Sequence, residues 1–269
     1  MGIHFEDLGM IAPDGKNYTL GRGKLYFDQF APGTQNTTGQ RYFGNTPEFN
    51  ATADSEELEH FDSDNGVNVK DDSVTLSNTR TGSFTTDNIN LDNVALFYLG
   101  EKSTTVQTSL TAQTQTIKVK QGRFYQIGAS DSNPAGYRHL DNFSAKIGST
   151  AVTAAGNYEV DLPLGRLYIE PGSTDIVDDA ELVLTFDVKA YSQNMVISSS
   201  DEIVGALYFE STNPKGELLD YYWPYVKLSP NGDFNLKSGD DWQSIPFNIE
   251  FLKKGNLEAV YITDRGTTS

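Results

Sequence analysis

Few residues of this 269-residue chain have the types and spacing that catalysis requires. The three histidines, His4, His60 and His139, lie far apart in the sequence and show no metal-ligand spacing, and there is no cysteine. The absence of cysteine excludes disulfides, thiolate-metal sites and thiol catalysis. Gly21-Arg22-Gly23 begins a glycine-rich pattern but lacks a third glycine, so it predicts a tight turn before a strand. We therefore expect no enzyme and no cofactor. A hydrolase with two carboxylates stays open, because acidic pairs are brought together by the fold.

One short run resembles the start of a calcium-binding loop. Asp62-Ser63-Asp64-Asn65-Gly66 has acidic and amide side chains at alternate positions. In an EF-hand the glycine is the sixth loop residue, whereas here Gly66 is the fifth of the run. No helical pattern flanks it, so we predict an ordinary Asp/Asn/Gly turn.

The most unusual stretch of the sequence is acidic and extends from Glu48 to Asp72. It contains nine carboxylates, with Lys70 as its single base. It is either a solvated loop or a long acidic arm that reaches a neighbouring subunit or presents a negative wall. The candidate arm residues are Asp54, Glu56, Glu57, Glu59, Asp62 and Asp64. The candidate basic acceptors for such an arm are Lys215, Lys227, Lys253 and Lys254.

The charge of the whole chain limits its partners. There are 37 acidic and 20 basic residues, for a formal net charge of −17. Proteins that bind DNA tightly neutralise its phosphates with lysine and arginine, so this balance argues against DNA binding. It leaves open a protein that nucleic acid passes without adhering. No apolar run is long enough to cross a bilayer, and the first residues lack the features of a signal peptide, so we expect neither membrane insertion nor export.

Alternating apolar residues predict a chain made mainly of strands. Leu182, Leu184, Phe186, Val188 and Ala190 alternate with more polar residues over a full strand. The same period occurs at Ile245, Phe247, Ile249 and Phe251, and more briefly at Val74 and Leu76. Pro230-Asn231-Gly232 stands between 225–228 and 234–236 and predicts a tight hairpin, because Asn-Gly accepts positive φ angles.

A single short helix is expected after Asn90, which can cap it. Leu91, Val94 and Tyr98 form an apolar stripe at helical spacing, and Gly100 is expected to end the helix in the left-handed conformation.

The fold class is thus mainly all-β, a sandwich or barrel with one short helix. Polar runs divide the chain into 1–103, 104–195 and 196–269. The middle segment has the size of a small Ig-like β-sandwich domain inserted into the fold formed by the other two. No cluster of exposed aromatic residues is expected there.

Several stretches taken together resemble a known family. They are 21–27, 41–49, 72–76, 79–89, 213–216, 223–226 and 230–233, which include Arg41-Tyr42-Phe43-Gly44-Asn45-Thr46-Pro47 and Trp223-Pro224-Tyr225-Val226. Taken together, these stretches are similar in sequence to the major tail protein, the tail-tube subunit, of long-tailed bacteriophages.

The resemblance implies a mechanical function. Subunits of that family form six-membered rings, which stack into a hollow tube that holds the tape-measure protein and passes DNA during ejection. It further implies contacts with tail-tip or baseplate proteins and with the tail terminator, and a location in the virion after synthesis in the host bacterial cytoplasm. The acidic segment from Glu48 to Lys70 would be a long loop that reaches the adjacent ring. The inserted domain would lie on the tube exterior. The alternative function is a bacterial β-sandwich adhesin or carbohydrate-binding module.

Overall fold

Strands form most of the regular structure of the computed structural model, which describes residues 17–64 and 66–265. The prediction of an all-β fold with one short helix is confirmed. In chain order the elements are β1 (Gly23–Gln29), β2 (Arg41–Tyr42), β3 (Glu48–Asp62), β4 (Val69–Thr86), α1 (Leu91–Phe97), β5 (Glu101–Gln107), β6 (Leu110–Val119), β7 (Phe124–Gln126), β8 (Leu140–Ile147), β9 (Thr150–Val152), β10 (Tyr158–Asp161), β11 (Arg166–Ile169), β12 (Ala180–Val188), β13 (Tyr191–Ile197), β14 (Ile203–Ser211), β15 (Leu219–Pro230), β16 (Ile245–Phe251) and β17 (Tyr261–Asp264).

The chain divides into two compact units. The middle unit is Ser103–Met195, and the larger unit combines the chain up to Lys102 with the chain from Val196 onward. The strands β5 and β13 pair with each other as a separate two-stranded sheet.

One large antiparallel sheet organises the larger unit. Its strands follow the order β2-β1-β14-β15-β16-β4-β3, and β17 adds to β15. The predicted alternation in β16 is confirmed, because Ile245, Phe247, Ile249 and Phe251 are all buried. The Phe247 ring stacks on that of Phe84 from β4, with 5.0 Å between centroids. The helix α1 also contributes to this core, so β16 is where the main elements of the unit meet.

The helix begins as predicted and ends in a different way. The Asn90 side chain accepts a hydrogen bond from the backbone N–H of Asn93 at 2.8 Å, which is an N-cap. At the other end Leu99, not Gly100, takes the left-handed conformation, with φ of 52°. Gly100 donates to the carbonyl of Ala95 and completes a Schellman motif. Glycine is needed there for space, since a Cβ would lie 2.1 Å from the carbonyl oxygen of Ile197.

The predicted tight hairpin after β15 is wrong. Gly232 does have a positive φ of 79°, but residues 234–236 form no strand. Instead, β15 pairs with β16, and residues 231–244 connect them. The Asn-Gly pattern correctly predicted a positive φ at Gly232. It did not predict which strand pairs with β15, because strand pairing is decided by burial in the core.

The middle unit is built from two antiparallel sheets over a single core. The sheets have the orders β10-β11-β7 and β6-β12-β8-β9. The apolar row predicted in β12 is buried from Leu182 to Val188, whereas Ala190 lies beyond the strand and is exposed. Leu167 and Ile169 of β11 are buried in the same core.

An ion pair holds the last described residues of the larger unit. The Arg265 guanidinium donates to both carboxylate oxygens of Asp220, at 2.9 and 3.0 Å. This places the end of β17 against the start of β15, where the two strands pair. The hydrogen bonds from Arg265 hold the pKa of Asp220 below its ordinary value.

We predict that the Asp220–Arg265 pair makes stability pH-dependent. Because the folded-state pKa of Asp220 is depressed, the pair stabilises the fold above the ordinary aspartate pKa of about 3.9 and this contribution is lost as the pH falls through the folded value. Asp220→Asn should therefore lower the urea midpoint at pH 7 and lower it much less at pH 2.5. Equal losses at both pH values would contradict this account.

We also predict that the two units unfold separately. Leu184→Ala should destabilise the middle unit, and Phe247→Ala the larger unit, by about 2–5 kcal/mol each, because each leaves a cavity in a closed core. In urea denaturation with hydrogen exchange as the readout, each variant should shift the transition of its own unit only. A common shift of both units would show that they unfold together.

Candidate assembly interface

The strands β3 and β4 continue far beyond the large sheet. Pairing of β4 with β16 ends at Thr81, opposite Glu250. Past this point β3 and β4 pair only with each other, as far as Asp62 and Val69. We call residues 53–80 the distal hairpin. At about 3.3 Å per residue it extends roughly 35–40 Å from the sheet.

Within the described part of the chain, no core lies beneath the distal hairpin. Every described residue in it is exposed except Ser77, which is half-buried. A two-stranded ribbon is marginally stable in water, because it buries neither of its faces. By contrast, Phe84, which lies further along β4, is fully buried. The sequence of β4 therefore passes from core to solvent on both faces within a few residues.

The two faces of the distal hairpin differ in chemistry. Leu58 and Val74 are direct cross-strand partners and therefore share a face, and each exposes more than half of its surface. Glu57 and Glu59 alternate with Leu58 and so point to the opposite face. There Lys70 places its Nζ 2.7 Å from Glu59 and 3.9 Å from Glu57. The hydrogen bond to Glu59 raises the pKa of Lys70. One face is thus apolar at its centre, and the other carries charge.

The predicted arm residues lie together on this hairpin, in a shape that differs from the expected loop. Five of the six are on β3, namely Asp54, Glu56, Glu57, Glu59 and Asp62, and Asp64 lies two residues beyond its end. The stretch 48–62 is a strand throughout, so the expectation of a long loop is wrong. Two register shifts, at Glu56/Glu57 and at His60/Phe61, mark bulges that increase the twist of the ribbon.

Most of the negative charge of the distal hairpin is not neutralised within the described part of the chain. Besides the Lys70 contacts there is one close side-chain contact, between His60 Nδ1 and Asp71 at 2.6 Å, which is an ion pair only when the imidazole is protonated. The acids with no ion pair are Asp54, Glu56, Asp62, Asp64 and Asp72. Asp71 and Asp72 belong to the second strand and were not among the predicted arm residues. Their place beside the acids of β3 could be recognised only once the pairing of β4 with β3 was known.

The four candidate basic acceptors lie in different places. Lys227 pairs with Glu202 at 2.7 Å, and Lys253 pairs with Glu258 at 2.8 Å. Lys254 lies over the Phe30 ring, 4.1 Å from its centroid, and donates to the carbonyl of Gln35. Lys215 lies 5.9 Å from the centroid of Tyr18 and has no ion pair within the described residues. Lys215 is therefore the acceptor most available to an outside carboxylate.

The connection between β3 and β4 is a turn. The Asp64 N–H donates to Asp62 Oδ1 at 2.9 Å, and Gly66 has a φ of 72°. Asn65 and His4 lie outside the described residues. Across 17–64 and 66–265, no group of three His, Cys, Asp or Glu side chains is arranged to hold a metal ion. No helix in that part of the chain has the length and apolarity to span a membrane.

Comparison with known protein families gives one match. Residues 18–257 match the family described as "protein of unknown function UCP028589". The chain belongs to this family. The matched range includes the distal hairpin and the whole middle unit. No curated protein matches the chain significantly.

We predict that the distal hairpin opens readily in the dilute protein. Amides of 55–77 should exchange with deuterium at least about 100-fold faster than those of β16, because local opening there exposes no core. Mass-spectrometric hydrogen exchange at low protein concentration would measure this. Comparable protection in both segments would contradict the absence of a supporting core.

Proposed function

We propose that this protein is a structural tail-tube subunit of a long-tailed bacteriophage. In this proposal six copies form a ring and the rings stack into a hollow tube through which DNA passes. The observation that carries the proposal is the distal hairpin, a ribbon of roughly 35–40 Å that buries neither face. Such an element gains stability when a neighbouring subunit covers it.

The large sheet supports ring formation. It is open, with β2 at one end and β3 at the other. Open sheet edges present unpaired backbone groups, and edge-to-edge closure of several sheets into a barrel removes them. A contact that joins different surfaces of successive rings does not close on itself and generates a filament. The distal hairpin supplies a surface for that second type of contact.

The charge pattern supports both assembly and passage of DNA. The unpaired acids of the distal hairpin favour a basic acceptor such as Lys215 on another copy. The net charge of −17 favours a channel to which phosphates do not adhere. Repulsion acts over about 10 Å at moderate salt and would keep DNA away from an acidic wall. In the same proposal the tube contains the tape-measure protein and contacts tail-tip, baseplate and terminator proteins in the virion.

Truncation of the distal hairpin tests the proposal. Asp54 and Thr79 are cross-strand partners, so residues 55–78 can be replaced by an Asn-Gly turn that closes a shorter hairpin. The wild-type protein should form rings or hollow tubes in negative-stain micrographs across a concentration series. The truncated protein should keep its thermal transition and remain monomeric. Tubes from the truncated protein, or a wild-type protein that stays monomeric even with its tail-tip proteins, would contradict the proposal.

Neutralisation of the arm tests its electrostatic part. The triple variant Asp54→Asn, Glu56→Gln and Asp64→Asn should raise the concentration needed for assembly by about tenfold, since three exposed ion pairs contribute about 0.2–1 kcal/mol each. It should also weaken the salt dependence measured by light scattering. The matched control is Asp233→Asn, Asp240→Asn and Asp241→Asn, three exposed acids outside the hairpin. Equal effects of both variants would assign the change to total charge rather than to the arm.

The adhesin alternative predicts a different outcome of the first experiment. An adhesin or carbohydrate-binding module of this fold would remain monomeric, and truncation of the distal hairpin would leave its binding intact.

A further inference from the structure

The outer face of the three-stranded sheet in the middle unit carries an exposed aromatic surface. Tyr168 of β11 lies between Phe124 of β7 and Glu159 of β10 in the ladder. Two pairs further along, and therefore on the same face, Arg166 is opposite Asp161. The alternate residues Leu167 and Ile169 are buried on the other face. We call this surface the aromatic platform; it comprises Phe124, Tyr168, Arg166, Glu159, Asp161 and Leu164.

The rings of the aromatic platform are held in place while remaining accessible. The centroids of Phe124 and Tyr168 lie 4.5 Å apart, with 32° between their planes. The Arg166 guanidinium carbon lies 4.8 Å from the centroid of Phe124, a cation–π contact. Phe124 nevertheless exposes 60% of its surface. An aromatic side chain fixed by two neighbours and left in water is prepared to stack against another planar or C–H-rich surface.

The polar groups around the rings have unused hydrogen-bonding capacity. Arg166 and Asp161 are cross-strand partners but form no ion pair, because the guanidinium lies over Phe124 instead. Asp161 uses one oxygen to accept from the Leu164 N–H at 2.9 Å. Its other oxygen, the Glu159 carboxylate and the guanidinium N–H groups of Arg166 have no hydrogen-bond partner within the described residues. Acceptors and donors therefore surround a common groove of about 380 Å³.

We propose that the aromatic platform binds a neutral saccharide. One face of a hexose ring bears C–H groups that can stack on the exposed Phe124 ring, which Tyr168 and Arg166 hold in place, since the negative face of an aromatic ring attracts polarised hydrogen. Its hydroxyl groups can donate to Glu159 and Asp161 and accept from Arg166. The groove falls within the range of small-molecule sites, and a few polar groups beside an apolar surface are typical of such sites.

Other ligand classes fit the aromatic platform less well. Two carboxylates oppose an anion, and a nucleic acid would also bring phosphates to a chain of net charge −17. A purely apolar ligand would leave Glu159 and Arg166 without partners on burial, which is costly. Phe124 is exposed and Tyr168 is half-buried, so this pair does not overturn the expectation that the middle segment holds no cluster of exposed aromatic residues. Phe124 and Tyr168 are distant in sequence and become neighbours through the pairing of β7 with β11.

Oligosaccharide binding by the full chain tests this proposal. The wild-type protein would be titrated with maltohexaose, cellohexaose and N-acetylchitohexaose, using isothermal calorimetry and saturation-transfer NMR at low-millimolar sugar. Binding of at least one probe is expected. Phe124→Ala should weaken it at least about tenfold, and Glu159→Gln should weaken it without loss of ring stacking. The matched control Val177→Ala, an exposed apolar residue of the same unit, should leave binding unchanged.

The outcomes separate this proposal from the function proposed above. No binding of any probe, or binding that is equally strong in Phe124→Ala, would overturn it. Binding of a single-stranded oligonucleotide or an apolar peptide in place of the sugars would also overturn it. Phe124→Ala should keep the thermal transition and the assembly behaviour of the wild type, because Phe124 is largely exposed. If Phe124→Ala changes the thermal transition, the test uses Glu159→Gln alone, since this variant alters only an exposed carboxylate. Sugar binding by Glu159→Gln as strong as that of the wild type would then overturn the proposal.

Discussion

The larger unit depends on the burial of four alternating side chains of β16. Ile245, Phe247, Ile249 and Phe251 leave water together, and each contributes about 1.5–3 kcal/mol relative to an exposed position. The strands β15 and β4 pair with β16 on either side, and α1 packs on the same core. Without this row the helix and the neighbouring strands would lose the buried side chains that they share.

This core also anchors the element that extends away from it. Phe84 packs between Phe43 and Phe247 and fixes the base of β4. Beyond Thr81 the strand has only β3 as a neighbour, and its side chains face water on both sides. The distal hairpin therefore has a rigid base and an unsupported end. Its acids also repel the other acids of a chain with a net charge of −17, which opposes collapse of the ribbon onto the rest of the larger unit.

In the middle unit, too, alternate side chains of β11 and β12 are buried, but here the opposite face carries an exposed aromatic ring. The β12 row and the inner residues of β11 form its core, so the outer residues of β11 must face solvent. At most such positions a sheet carries small polar side chains. Here Glu159, Tyr168 and Phe124 form a row across the outer face of the three-stranded sheet. Exposure of the large Phe124 ring costs free energy, and the contact with Arg166 offsets that cost only in part. Such an exposed ring is a feature of binding surfaces.

The sequence by itself determined the class of the fold and several of its parts. Period-two patterns at 182–188 and 245–251 gave two central strands, and Asn90 gave the start of the helix, because these signals depend on residues close in sequence. It also located the acidic segment, since charge needs no fold to be counted. Only the tertiary structure decided that this segment is a strand pair, that β15 pairs with β16, and that Phe124 lies beside Tyr168. The reason is physical: which strands become neighbours is set by shared burial of distant residues, and the alternation along one strand carries no information about its partner.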